Sequence, residues 1–143
     1  MRYEHTQRAY LLHWMVMPLI LIAVVGMFSG GATLWVWSVV TALVVAFAWL
    51  VVTFSMLTVI VDGDQIRIYF GRGWPRRTVS KREVTAVMPV RNQWWHGLGI
   101  RIIPKGTLWN VWGLDAVELT LESGRVFRIG TDDGDGLAAA IAL

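Results

Sequence analysis

AYLLHWMVMPLILIAVVGMFSGGATLWVWSVVTALVVAFAWLVVTFSMLTVIV, residues 9–61, decides the architecture, because 53 consecutive positions carry no Asp, Glu, Lys or Arg. One bilayer crossing takes about 20 apolar residues as helix, so the run suits two. The first block is Leu11–Phe28 and the second about Leu34–Leu57. Ser29-Gly30-Gly31-Ala32-Thr33 between them is a small-residue breaker that turns a helical hairpin. Trp14, Trp35 and Trp37 lie near block ends, where aromatic side chains favour interfacial depth. The first block exceeds the 7–15 residues of a signal-peptide core, and a second block comes directly after it. A retained hairpin is therefore expected rather than a cleaved leader.

Charge outside this run sets the orientation. The turn carries no base, the first ten residues carry Arg2 and Arg8, and residues 62–105 carry nine bases against three acids. An even number of crossings puts both ends on one side, and the positive-inside rule makes that side the cytoplasm. The expected location is the bacterial inner (cytoplasmic) membrane. With 55% hydrophobic and only 16% charged residues the chain is not disordered, and with no Cys it holds neither a disulfide framework nor a Cys-based zinc site.

Residues 58–143 read as a β domain behind an N-terminal tail and hairpin at 1–57. Gln65–Phe70 alternates, which places Ile66, Ile68 and Phe70 on one face. Ala116–Glu122 alternates too, with Val117, Leu119 and Leu121 inward, and Ser123-Gly124 turns it into Arg125–Gly130. Thr58–Val61, Val84–Val90 and Leu98–Ile103 are further strands, with Pro89 marking an edge or bulge. Asp132 and Asp133 offer N-caps to an Ala-rich closing helix. Short strands with frequent turn signals predict a small barrel or sandwich.

Several stretches of residues 57–143 resemble the bacterial pleckstrin-homology-like (bPH) domains that accompany transmembrane hairpins in small bacterial membrane proteins. They are VIVDGDQIRIYFG, RRTVSKREVTAV, GLGIRIIPKG, the SGR turn and IGTDDGDGLAAAI. The resemblance implies a PH-like, seven-stranded, strongly bent sheet or β-barrel with one C-terminal helix. It implies no activity, because this fold serves lipid, peptide and protein binding alike.

No catalytic constellation is legible. His5, His13 and His96 are scattered, and Gly71–Arg76 begins like a dinucleotide loop but leads into no helix. The expectation is a non-enzyme without cofactor or metal. His13, inside the first apolar block, is either interfacial or a ligand for a pigment, haem or partner. Arg67, Arg72, Arg76, Arg77, Lys81 and Arg82 either meet anionic headgroups or express ordinary positive-inside bias. Nucleic acid is not an expected partner. Trp94, Trp95, Trp109 and Trp112 are either interface anchors or barrel core. Ala23, Gly26, Thr41, Ala42, Ala46 and Ala48 are small enough for helix–helix packing. Two functions are open: an accessory subunit packed on other integral membrane proteins, or a stand-alone anchored module binding anionic lipid or a small ligand.

Overall fold

A computed structural model describes residues 2–29 and 33–142. The Gly30-Gly31 turn lies outside the described residues. Helix α1 is Tyr10–Phe28 and α2 is Leu34–Phe54. At 1.5 Å per residue, their 19 and 21 residues run about 28 and 31 Å. Both are apolar on every face and almost wholly unburied, long and apolar enough to cross a membrane. Helix α2 ends three residues earlier than the expected Leu57. Ser55 leaves the helix, its hydroxyl donating to Val52 O at 2.9 Å, and Leu57 is already a buried strand residue.

The larger difference lies before the helices. The segment expected to be a tail is strand β1, Arg2–Arg8, and it pairs antiparallel with β2, Met56–Asp62, from Arg2↔Asp62 to Arg8↔Met56. Ala9 N donates to Ser55 O at 2.8 Å and closes the ladder where the helices begin. The helical hairpin is thus looped out of the turn end of a β-hairpin. Both helices continue directly from adjacent strands.

Strands β3 (Gln65–Phe70) and β4 (Arg76–Ser80) complete an antiparallel sheet of order β1-β2-β3-β4. The second sheet holds β5 (Val84–Arg91), β6 (Gly99–Ile103), β7 (Gly106–Asn110), β8 (Asp115–Leu121) and β9 (Val126–Gly130) in the order β5-β8-β9-β7-β6. Its β7–β9 pair is parallel and its other pairs are antiparallel. Among the described residues there are nine strands in two sheets, not seven in one, and the sheets do not close into a barrel. Pro89 lies on β5, an edge strand, where its missing N–H breaks no ladder bond on the open side.

The core lies between the sheets. Ile66, Ile68 and Phe70 from one sheet and Val117, Leu119, Phe127 and Ile129 from the other are fully buried. Helix α3 (Gly134–Ala142) adds Leu137 and Ile141. Asp133 caps it, its carboxylate accepting from Gly136 N at 3.1 Å.

The inward face of β1 is polar, and each side chain finds a partner across the gap. Tyr3 Oη donates to Asp133 at 2.8 Å, His5 Nε2 meets Asp132 at 2.6 Å, and Gln7 Nε2 donates to Trp112 O at 2.8 Å. Burial, then the facing Asp133 and Asp132, push the Tyr3 phenol well above its ordinary range, so it stays a donor.

Candidate functional site

Strand direction sorts the functional candidates by height above the helices. Strand β2 leaves the helix end at Met56 and reaches its far turn at Asp62, six steps or roughly 20 Å away at about 3.3 Å each. Strand β3 returns to the helix end at Phe70, and β4 leaves it again from Arg76.

The basic stretch is therefore dispersed. Arg67 and Arg82 belong to the far half, paired with Asp62 at 3.6 Å and Asp64 at 3.0 Å. Lys81 is also at the far end, its ammonium donating to Ala140 O at 3.1 Å. Arg77 is half-buried. Its guanidinium lies 4.4 Å from the Phe127 ring centroid and donates to Thr107 Oγ1 at 3.1 Å. Burial and then the nearby Arg125 lower its pKa. Arg77 is thus packed into the domain and Lys81 is tied to α3, whereas Arg67 and Arg82 are exposed members of surface ion pairs. Only Arg72 and Arg76 of the six stand at the helix end, exposed and without an acidic partner among the described residues.

The β3–β4 loop carries Arg72 onto α2. Gly71 (φ +49°) lies against the Thr53 backbone, where an added Cβ would come within 2.8 Å of the carbonyl oxygen, and its N–H donates to Met56 O at 2.9 Å. A side chain there would meet backbone as well as the strained φ. Trp74, next in this loop, stacks on Trp49, ring centroids 6.5 Å apart. Trp49 lies five residues before the end of α2, so this aromatic pair reaches roughly 7 Å down the helix.

The residues from Leu98 to Arg101, at the start of β6, line a groove with the helices, and a 3-10 turn at Trp94–His96 comes just before them in the chain. Trp94 and Trp95 pack edge to face at 5.7 Å and are 78% and 62% exposed. Trp112 is also exposed, at 44%. Trp109 is not an anchor. It is 7% exposed, wedged between Phe70 at 5.3 Å and Phe127 at 5.8 Å. Its strand β7 is covered on both faces, which the isolated Trp-Asn-Val-Trp pattern does not reveal. Strand β6 is the edge of its sheet and presents Ile100 and Ile102, the latter 92% exposed. These two isoleucines were not among the sequence candidates. The pattern of Gly99–Ile103 marks a strand but does not say which of its faces lies open.

His13 occupies the first turn of α1, exposed and without a hydrogen bond to any described residue. The small helix residues divide. Ala23 and Gly26 are used within the hairpin, where Ala23 is buried and a Cβ on Gly26 would overlap the Trp37 ring. Thr41, Ala42 and Ala46 of α2 are exposed, with Ala42 and Ala46 one turn apart on one face, and Ala48 is half-buried.

Chemically, this end of the molecule offers aromatic and aliphatic contact surface with a few exposed guanidinium groups. Among the described residues no three His, Asp or Glu side chains gather as a metal site would need. Comparison with family models and with curated proteins finds no match to this chain.

Proposed function

We propose that the chain is a bPH-like, non-catalytic subunit of the bacterial inner membrane. It packs on a larger membrane-protein assembly through its helices and through the Trp94–Trp95 rim. The observation that carries this reading is the exposed apolar rim, Trp94, Trp95, Ile100, Ile102 and Trp112, beside an unpaired strand edge. Soluble surfaces seldom leave such patches uncovered, and long apolar edges invite pairing with another chain. Aromatic anchors dominate interface energy once desolvated. Ala42 and Ala46, one turn apart on an exposed face of α2, suit close helix packing within lipid. A C-terminal helix closing one end of the sheets supports the bPH-like reading.

In this reading both termini are cytoplasmic, because every Lys and Arg flanks the hairpin on one side. A reporter fused after Leu143 is expected to be active only in its cytoplasmic form, and one placed at Gly30-Gly31 only in its exported form. The reverse pattern sinks the orientation.

The docking test uses the tagged full chain extracted in mild detergent from its native membrane. It is expected to run with fixed partners, identified by mass spectrometry. Trp94→Ala with Trp95→Ala should release those partners at least tenfold, while costing the fold within about 0.5 kcal/mol, as exposed positions do. A double variant that stays folded and fully associated removes the rim from the interface. A wild-type chain that purifies alone favours the second reading, a stand-alone lipid or ligand module. Arg72 and Arg76 beside Trp74 support that alternative, as exposed cations at the helix end.

A further inference from the structure

A groove of about 550 Å³ runs between the helix pair and the first residues of β6. Met15, Phe47 and Leu50 line it from the helices, and Leu98 and Ile100 from the domain. Arg101 is the one charged residue in the lining. Polarity is graded along the groove. Phe47 lies seven residues before the end of α2, about 10 Å down the helix axis, whereas Arg101 belongs to the sheet domain. Arg101 Nε donates to Leu98 O at 3.0 Å, which orients the guanidinium and leaves both Nη groups without a hydrogen bond to any described residue.

We propose that this groove holds one anionic phospholipid, its acyl chain against Met15, Phe47 and Leu50 and its phosphate on Arg101. The volume falls in the range of built small-molecule sites, which are mostly apolar with a few placed polar groups. A guanidinium presents a planar fork of donors that matches phosphate oxygens. An apolar partner helix in the same place would cover Arg101 without pairing it, and an unpaired charge is costly to bury. Charge complementarity thus selects an amphiphile with a negative head. Ile100 belongs to both the groove and the docking rim, but Trp94 and Trp95 do not line the groove, so the Trp94→Ala/Trp95→Ala variant tests docking apart from this site.

Native mass spectrometry of the full chain in mild detergent, titrated with phosphatidylglycerol or phosphatidylcholine, tests the site. One phosphatidylglycerol per chain is expected to be retained, about fivefold better than phosphatidylcholine, which corresponds to about 1 kcal/mol for one cation near an anionic surface. Arg101→Gln should erase the preference and keep residual binding of both lipids. Leu50→Trp, which fills the groove, should lower retention of both. Arg82→Gln, at the far end of the sheet, should change neither, and thermal unfolding confirms that each variant is folded. Equal retention of the two lipids by the wild type, or an undiminished preference in Arg101→Gln, overturns the proposal. So does a polypeptide from native membranes that cross-links to a photoreactive group at Leu50.

Discussion

Trp109→Ala is expected to destabilise the sheet domain by about 3–5 kcal/mol, the usual cost of emptying a large aromatic site. Trp109 stands between Phe70 of the first sheet and Phe127 of the second, so its ring bridges the two layers. Phe70 in turn contacts Phe54, the last residue of α2, at 5.0 Å. A cavity here loosens the joint between the layers and the seat of the helices together. A domain of this size commonly has about 5–15 kcal/mol of stability, so the loss is a large share. Denaturant unfolding of the full chain in detergent, followed by near-ultraviolet circular dichroism, measures it. A cost below about 1 kcal/mol means that the ring is not core. The contrast with Trp94→Ala/Trp95→Ala separates the buried Trp109 from the exposed Trp94 and Trp95.

Deleting residues 2–8 is expected to unseat the hairpin from the domain. The deletion removes a strand with seven register pairs and the Tyr3, His5 and Gln7 contacts to the opposite layer. At about 1 kcal/mol net per backbone hydrogen bond, the strand's ladder alone is worth several kcal/mol. The newly bare edge of β2 then lacks half its partners, and an edge strand of that length is prone to pair elsewhere. Hydrogen exchange of the full chain against the truncated chain, both in detergent, reads the effect. Protection in β2 should collapse while α1 and α2 stay protected, since their hydrogen bonds are internal to each helix. Unchanged protection in β2 shows that β1 contributes little.

Trp109 and β1 were hidden from a reading of the sequence for different reasons. Trp109 sits in a short stretch whose two faces are both covered by distant segments. The sequence of β1, Arg-Tyr-Glu-His-Thr-Gln-Arg, has the period of a strand but no apolar face. Its inward Tyr3, His5 and Gln7 each make a hydrogen bond to the opposite layer, so hydropathy carries little trace of it. Its partner strand lies beyond the whole helical hairpin, a pairing that no local pattern announces. Strand β4 is short and basic, with Val79 its one buried side chain, so no apolar alternation announces it. The basic residues illustrate the same limit. Six bases within sixteen positions look like one patch, but β3 and β4 run in opposite directions and set Arg72 and Arg76 at the helix end and Lys81 and Arg82 beyond Ser80, four strand steps or roughly 13 Å from Arg76. That exceeds the 8–10 Å over which charges act at ordinary salt.

Composition and period alone determined the helical hairpin and the two best-patterned strands. An uncharged run of 53 residues holds two apolar helices, each long enough to span a bilayer core, and only its last six residues go to a strand, β2. Alternation at Ile66, Ile68 and Phe70 and at Val117, Leu119 and Leu121 can only be half-buried strand, and all six side chains face the core. Tertiary structure alone decided which strand stands beside which, and hence which exposed-looking residues are covered. Trp109 became core, Arg77 a lid on Phe127, and Arg101 the single cation over an apolar groove, because burial depends on what a distant segment brings to the other side.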